Sequence, residues 1–186
     1  MNPDGGVAFF DRQFQQQVQN RDFQLNPFEL TALPYLKGRV LDFGCGLGNL
    51  AIAAAQQGCS VVALDGSHPA IEHLRQRAAA ESLPAEAIEA DLRTHESGED
   101  FDCVVSIGLL MFFDCAAALR VLALLQAHVR AGGIAAINVL AEGTTYLDMF
   151  QPGHYCLFAR NEMASRFAGW DIIHSEFRDF DAPDQR

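Results

Sequence analysis

The stretch V40-L-D-F-G-C-G-L-G-N-L50 decides the fold. Val40 and Leu41 close a short apolar β run, and Gly44, Cys45, Gly46, Leu47 and Gly48 form a glycine-rich turn that opens a helix near Asn49. Glycines suit such a turn because a side chain would hold a ligand off the backbone and resist positive φ angles. Strand-to-helix turns of this kind occur in several nucleotide-binding folds, and spacing separates them. A dinucleotide fingerprint needs Gly-x-Gly-x-x-Gly, whose third glycine falls at position 49, where this chain has Asn49. The pattern present is Asp-x-Gly-x-Gly-x-Gly, with Asp42 two residues ahead of the first glycine.

That carboxylate discriminates between ligands. A pyrophosphate would be repelled by an acid at this turn, whereas S-adenosylmethionine (SAM) brings an ammonium for Asp42 and a carboxylate for the turn amides. A nicotinamide-dependent oxidoreductase, which shares parts of the pattern, is disfavoured on the same ground. The second β run, Val61-Val62-Ala63-Leu64, ends at Asp65, placed to accept from both ribose hydroxyls of an adenosine. The third ends in Glu89-Ala90-Asp91-Leu92, where Asp91 is a candidate acceptor for the adenine amine and the Leu92 amide for a ring nitrogen. The candidate cofactor shell is therefore Asp42, Gly44, Cys45, Gly46 and Asn49, then Asp65, Gly66 and Ser67, then Ala90, Asp91 and Leu92, with Ile107 after the fourth strand. Cys45 reads as a small filler within the turn.

Working outward, β runs at 39–43, 60–64, 86–90, 101–106, 133–140 and 170–177 alternate with helical stretches at 49–57, 68–81, 115–130 and 161–168. Strict alternation predicts right-handed crossovers and a doubly wound α/β fold with a mostly parallel sheet. Ahead of it, Phe10, Phe14 and Val18 recur at helical spacing among glutamines, and Asn26-Pro27 starts a helix bearing Phe28, Leu30 and Leu33. We assign residues 1–38 to an N-terminal helical lid segment and 39–186 to a SAM-binding domain, the whole being one globular unit.

Composition bounds the rest. The 186 residues, 49% hydrophobic and 20% charged, suffice for one self-supporting core. The formal charge of −11 weighs against nucleic acid as a partner. Cys45, Cys59, Cys103, Cys115 and Cys156 are odd in number and lack Cys-x-x-Cys spacing, so reduced cytoplasmic thiols are expected, with no disulfide framework and no metal. The polar Met1–Gly6 lacks a signal-peptide pattern, and no membrane span is expected. A monomer or homodimer is expected.

LDFGCGLGNL, VVALDGS, EADL and FDCVVSIGLLMFFD, in that order, resemble the motifs of the class I SAM-dependent methyltransferases over about residues 39–177. SIGLLMFF, GGIAAINVL and FARNEMASRFAGWDII are most similar to the TehB-type tellurite and selenite methyltransferases and their small-molecule relatives. The resemblance implies SAM as cofactor, S-adenosylhomocysteine (SAH) as product and a Rossmann-like sheet. One departure stands out: the superfamily sheet finishes with a sixth strand and an antiparallel seventh, and Arg178–Arg186, acidic and carrying Pro183, is too short for the last. TehB-type residues near that end are not carried over, and a catalytically silent SAM-binding module acting through a partner is the competing reading.

After the fourth strand, Ser106-Ile107-Gly108-Leu109 stands where amino-directed enzymes carry an Asn or Asp, two prolines and an aromatic. This favours a small acceptor with a soft sulfur, selenium or tellurium nucleophile, or a hydroxyl or carboxylate. Met111, Phe112 and Phe113, and, after the fifth strand, Glu142 and Tyr146, are the candidate acceptor lining; His154 is the candidate general base, Tyr155 lies beside it, and Arg160 is a candidate to attract an anionic acceptor.

Overall fold

The computed structural model describes residues 5–145 and 147–179, with side chains from residue 10 onward. An amphipathic helix α1 (Gly5–Asn20) precedes α2 (Pro27–Ala32) and a 3₁₀ turn at Leu33–Tyr35. The start of α2 is fixed by a reciprocal cap. Asn26 Oδ1 accepts from the amides of Phe28 and Glu29 at 2.9 and 3.0 Å, and Glu29 Oε2 accepts from the Asn26 amide at 2.7 Å.

The alternating part runs β1 (Arg39–Phe43), α3 (Asn49–Gln56), β2 (Ser60–Asp65), α4 (His68–Ala80), β3 (Ala85–Glu89), β4 (Phe101–Ser106), a 3₁₀ turn at Leu110–Phe112, α5 (Cys115–Ala127), β5 (Val129–Ile137) and α6 (Glu162–Arg166). All strands pair in parallel, in the order β3-β2-β1-β4-β5. The winding reverses between β1 and β4, and sheets of this kind bind ligands at the carboxyl ends of the strands flanking such a switch point. The expected doubly wound α/β fold is thus present.

Strand periodicity divides the core. Val40, Val61, Ala63, Cys103 and Val105 face α3 and α4, while Leu41, Val62, Leu64, Phe101 and Val104 face α5. Burial on both faces is why these strands read as continuous apolar runs. Truncating one of the large residues, such as Phe101→Ala, is expected to cost about 3–5 kcal/mol.

Three expectations are corrected. The strand expected at 170–177 does not form: the segment makes no ladder, and Ile172, Ile173 and Phe177 stay 55, 64 and 60% exposed. A cavity of about 600 Å³, lined by Gly133–Thr144 on one side and Trp170–Asp179 on the other, separates it from β5. Among the described residues β5 therefore pairs only with β4, and local β propensity has no neighbour to satisfy it. Secondly, the fifth strand begins at Val129 rather than 133, with an irregularity between the pairs Phe101–Val129 and Cys103–Ile134. Thirdly, the cysteines are not all reduced. Cys115 and Cys156, 41 residues apart, form a disulfide with their Cα atoms 4.7 Å apart, while Cys45, Cys59 and Cys103 are free and buried. Linear spacing carried no sign of this pair because the fold alone brings the start of α5 to the loop after β5.

Candidate functional site

Asp42 lies in register with Ala63 and Val105 at the end of β1 and is only 5% exposed. Its Oδ2 is buried with no hydrogen-bond partner. Burial, reinforced by the charges of Glu29 and Asp65, pushes its pKa from 3.8 up to about 8. A carboxylate in this condition is stabilised by a cationic donor.

The turn after β1 is held by Leu64, whose carbonyl accepts from the amides of Gly44 and Cys45 at 2.8 and 2.9 Å. Gly48 sits at φ +71°, and a Cβ there would lie 2.5 Å from the buried Leu74 side chain. Gly46, at φ +53°, donates its amide to Asp65 Oδ2 at 2.8 Å. Asp65 Oδ1 accepts from the Ser67 amide at 2.9 Å. Desolvation raises the Asp65 pKa against the amides of Ser67, Gly46 and Gly66, which lower it. Each carboxylate oxygen keeps further lone-pair capacity for an added donor. Cys45 is buried and its thiol is pushed well above its usual pKa, chiefly by desolvation, which agrees with a filler role.

The third cluster is less inward. Asp91 Oδ1 accepts from the backbone amide and the Nε of Arg93, both at 3.1 Å, and this partner lowers its pKa. Ala90 donates its amide to the Asp65 carbonyl at 3.0 Å, and Leu92 is buried among the α5-side core. Asn49 turns its Oδ1 to Arg77 of α4 at 2.7 Å. Ile107 packs on the α3-side core at the end of β4.

Two helices reach this site from the N-terminal segment. A Cβ on Gly46 would lie 3.0 Å from Phe14 Cζ, so the α1 ring rests on the glycine turn. Ser67, which caps α4 by accepting from the Ala70 amide, donates its hydroxyl to Asp11 Oδ1 at 2.5 Å. Glu29 adds a second negative charge near Asp42, and desolvation raises its own pKa. Sequence reading did not single out Asp11 or Glu29; the Asn26-x-x-Glu29 capping pattern was the visible trace of the latter.

A row of aromatic rings follows: Phe10 stands edge-on to Phe112 with centroids 4.7 Å apart, Phe112 lies 4.8 Å from Phe150, and Phe150 stacks on Tyr155 at 5.2 Å. Met111 is buried, and its carbonyl accepts from the Cys156 amide at 3.0 Å. His154 is exposed on a turn, its amide donating to the Gln151 carbonyl. Arg160 places its guanidinium 4.9 Å over the Phe177 ring, beside the cavity flanking β5. Glu142 is exposed, its amide donating to the Phe158 carbonyl at 2.9 Å. Tyr146 lies outside the described residues. Among the described residues no cluster of three metal-ligating side chains occurs.

A family model described as a methyltransferase domain matches residues 40–133, from the strand bearing Asp42 into β5. The chain belongs to the class I SAM-dependent methyltransferases. The chain is 30% identical over 138 residues to Hemagglutinin 1 of Eikenella corrodens, a match covering 74% of this chain and 45% of that one. It is 26% identical over 136 residues to the probable SAM-dependent methyltransferase TehB of Haemophilus influenzae (strain 10810), covering 73% and 46%. The chain thus spans somewhat less than half the length of these curated relatives. The crystal structure of TehB from Haemophilus influenzae shares the fold, with a TM-score of 0.72, 19% identity and coverage of 85% of this chain and 55% of that one. The DhpI–SAM–HEP complex shares it with a TM-score of 0.60 at 16% identity, covering 90% and 89%.

The site fits the family's cofactor, SAM, on its own geometry: the unpartnered buried oxygen of Asp42 suits an ammonium, and the Asp65 carboxylate keeps acceptor capacity for further donors. No helix is long and apolar enough to cross a membrane among the described residues.

Proposed function

We propose that this protein transfers a methyl group to a small-molecule acceptor. SAM, when bound, supplies the activated methyl as an electrophilic sulfonium. In this reading Asp42 takes the ammonium, Asp65 the ribose hydroxyls while keeping its two amide donors, and Asp91 and the Leu92 amide the adenine edge. The single observation that carries the reading is the buried, unpartnered Oδ2 of Asp42 beside the glycine turn.

The N-terminal segment acts as the lid. Phe14 on Gly46, Asp11 on Ser67 and Phe10 on Phe112 tie α1 to both the cofactor turn and the acceptor side, which excludes water from the transfer. An in-line displacement with a good leaving group asks the protein mainly for alignment, so a strong general base is unnecessary for a soft nucleophile. The row of Phe10, Phe112, Phe150 and Tyr155 offers polarisable ring faces, which supports a sulfur-, selenium- or tellurium-type acceptor. His154, exposed on its turn, and Arg160, engaged with Phe177, are the weaker parts of the catalytic assignment; Tyr155, at the end of the row, is its best-placed member.

Calorimetry with SAH and a methyl-transfer panel of small thiols, selenols, amines and carboxylates test the proposal. Micromolar SAH affinity with turnover of a thiol or selenol is expected; a folded protein without SAH affinity sinks it. A second reading, a SAM-binding module that works through a partner, is favoured by the outer edge of β5, which pairs with no strand among the described residues. It predicts normal SAH affinity with no acceptor methylated.

A further inference from the structure

The loop from Asn138 to Asn161 is long, carries no helix or strand among its described residues, and supplies Phe150 and Tyr155 to the aromatic row. Loops of this length inside compact domains tend to be functional. Its return limb is anchored near Cys156, whose amide donates to the Met111 carbonyl at 3.0 Å, and by the isolated bridge between Ala141 and Phe158, in which the Phe158 amide donates to the Leu140 carbonyl and the Phe158 carbonyl accepts from the Glu142 amide, both at 2.9 Å. The disulfide adds the one covalent tie, joining this limb to the first residue of α5.

The two half-cystines differ in exposure. Cys156 is buried at 3% exposure, whereas Cys115 is an exposed residue at the start of a 13-residue helix whose cap is Asp114. The free cysteines Cys45, Cys59 and Cys103 are buried, so none is placed to reshuffle with the pair. We propose that the Cys115–Cys156 bond is a redox switch on the acceptor side: oxidised, it holds the 138–161 loop against Phe112 and the lid; reduced, it releases the loop while the cofactor half stays intact.

The reductant is a dithiol, small or protein-borne. Its thiolate attacks Cys115 Sγ, forming a mixed disulfide as the Cys115–Cys156 bond breaks and its electron pair passes to Cys156 Sγ, which takes up a proton. The second thiol then displaces Cys115 Sγ as a thiolate, which is protonated, and the reagent leaves as its cyclic disulfide. Two electrons and two protons have moved from the dithiol to the protein. The inference rests on the reading of this loop as the acceptor wall only for its functional meaning; the switch itself is independent of the acceptor.

The test uses the full chain, air-oxidised or treated with dithiothreitol. Intact-mass analysis after alkylation under denaturing conditions should find three thiols in the first form and five in the second. Amide exchange within residues 140–158 should accelerate at least tenfold on reduction, with β1, β2 and β4 unchanged and SAH affinity within twofold. Cys115→Ser should show the fast exchange with or without dithiothreitol, and the wild-type chain treated with dithiothreitol covers the case in which that variant fails to fold. Five thiols in protein exposed to diamide, unchanged loop exchange on reduction, or an equal loosening of the central strands would each overturn the switch. Loss of SAH affinity in both forms would instead count against the cofactor reading and leave the loop result to be judged separately.

Discussion

The amide of Gly46 and the carboxylate of Asp65 meet at 2.8 Å, so the turn after the first strand and the acid closing the second are a single structural unit. Changing either residue disturbs the other. Asp65→Ala removes the acceptor of both the Gly46 and Ser67 amides as well as the proposed ribose contact. SAH affinity should fall by about 1 to 3 kcal/mol, roughly five- to 150-fold in Kd, as measured by calorimetry. An unchanged Kd would show that the adenosine lies elsewhere.

Burial of Asp42 gives a pH dependence whose sign is fixed. Its pKa is about 8 in the folded protein against 3.8 for the ordinary group, so the folded state holds a proton that the unfolded chain releases between those values. Ligand-free stability should therefore decline as pH rises from about 5 to 8. Glu29 and Asp65, also raised, contribute in the same direction. Thermal melts across this range should slope downward for the wild type and much less for Asp42→Asn.

Gly48→Ala places a methyl against Leu74 at a backbone angle that side chains rarely adopt. The expected cost is about 1 to 3 kcal/mol, seen in thermal unfolding as a fall of between about 2 and 12 °C. Ala introduced at Gly58, which is also at positive φ but has open space around it, separates backbone strain from the steric clash.

Phe14→Ala opens the lid without touching the sheet. SAH dissociation, followed by stopped-flow fluorescence, should accelerate by roughly an order of magnitude, equivalent to about 1.4 kcal/mol of lost contact. The melting temperature should move little, because the α1 face meets the core only at its margin. Equal losses of stability and affinity would make α1 a structural cover instead.

The legible part of this molecule is the part where local pattern and tertiary role coincide. Val40–Phe43 and Phe101–Ser106 are buried on both faces, so their apolar runs announced central strands, and the spacing of Asp42 with three glycines announced the turn. Trp170–Phe177 shows the opposite case: the residues favour a strand, but pairing depends on a neighbour that stands a cavity's width away. Cys115 and Cys156 meet only because the loop after β5 folds back to the start of α5, a relation between positions 41 apart with no periodic trace. Glu29 reads first as a helix cap, and its charge matters to Asp42 only once α2 lies across the sheet end.

A buried acid that is still protonated near neutrality also changes what cofactor capture does to the surroundings. If an ammonium settles on Asp42, that proton must leave for the solvent, and the heat recorded in a calorimeter will include the ionisation heat of whichever buffer receives it. Titrations in phosphate and in Tris would then give the same affinity and different enthalpies, which makes a single hidden oxygen atom visible from outside the protein.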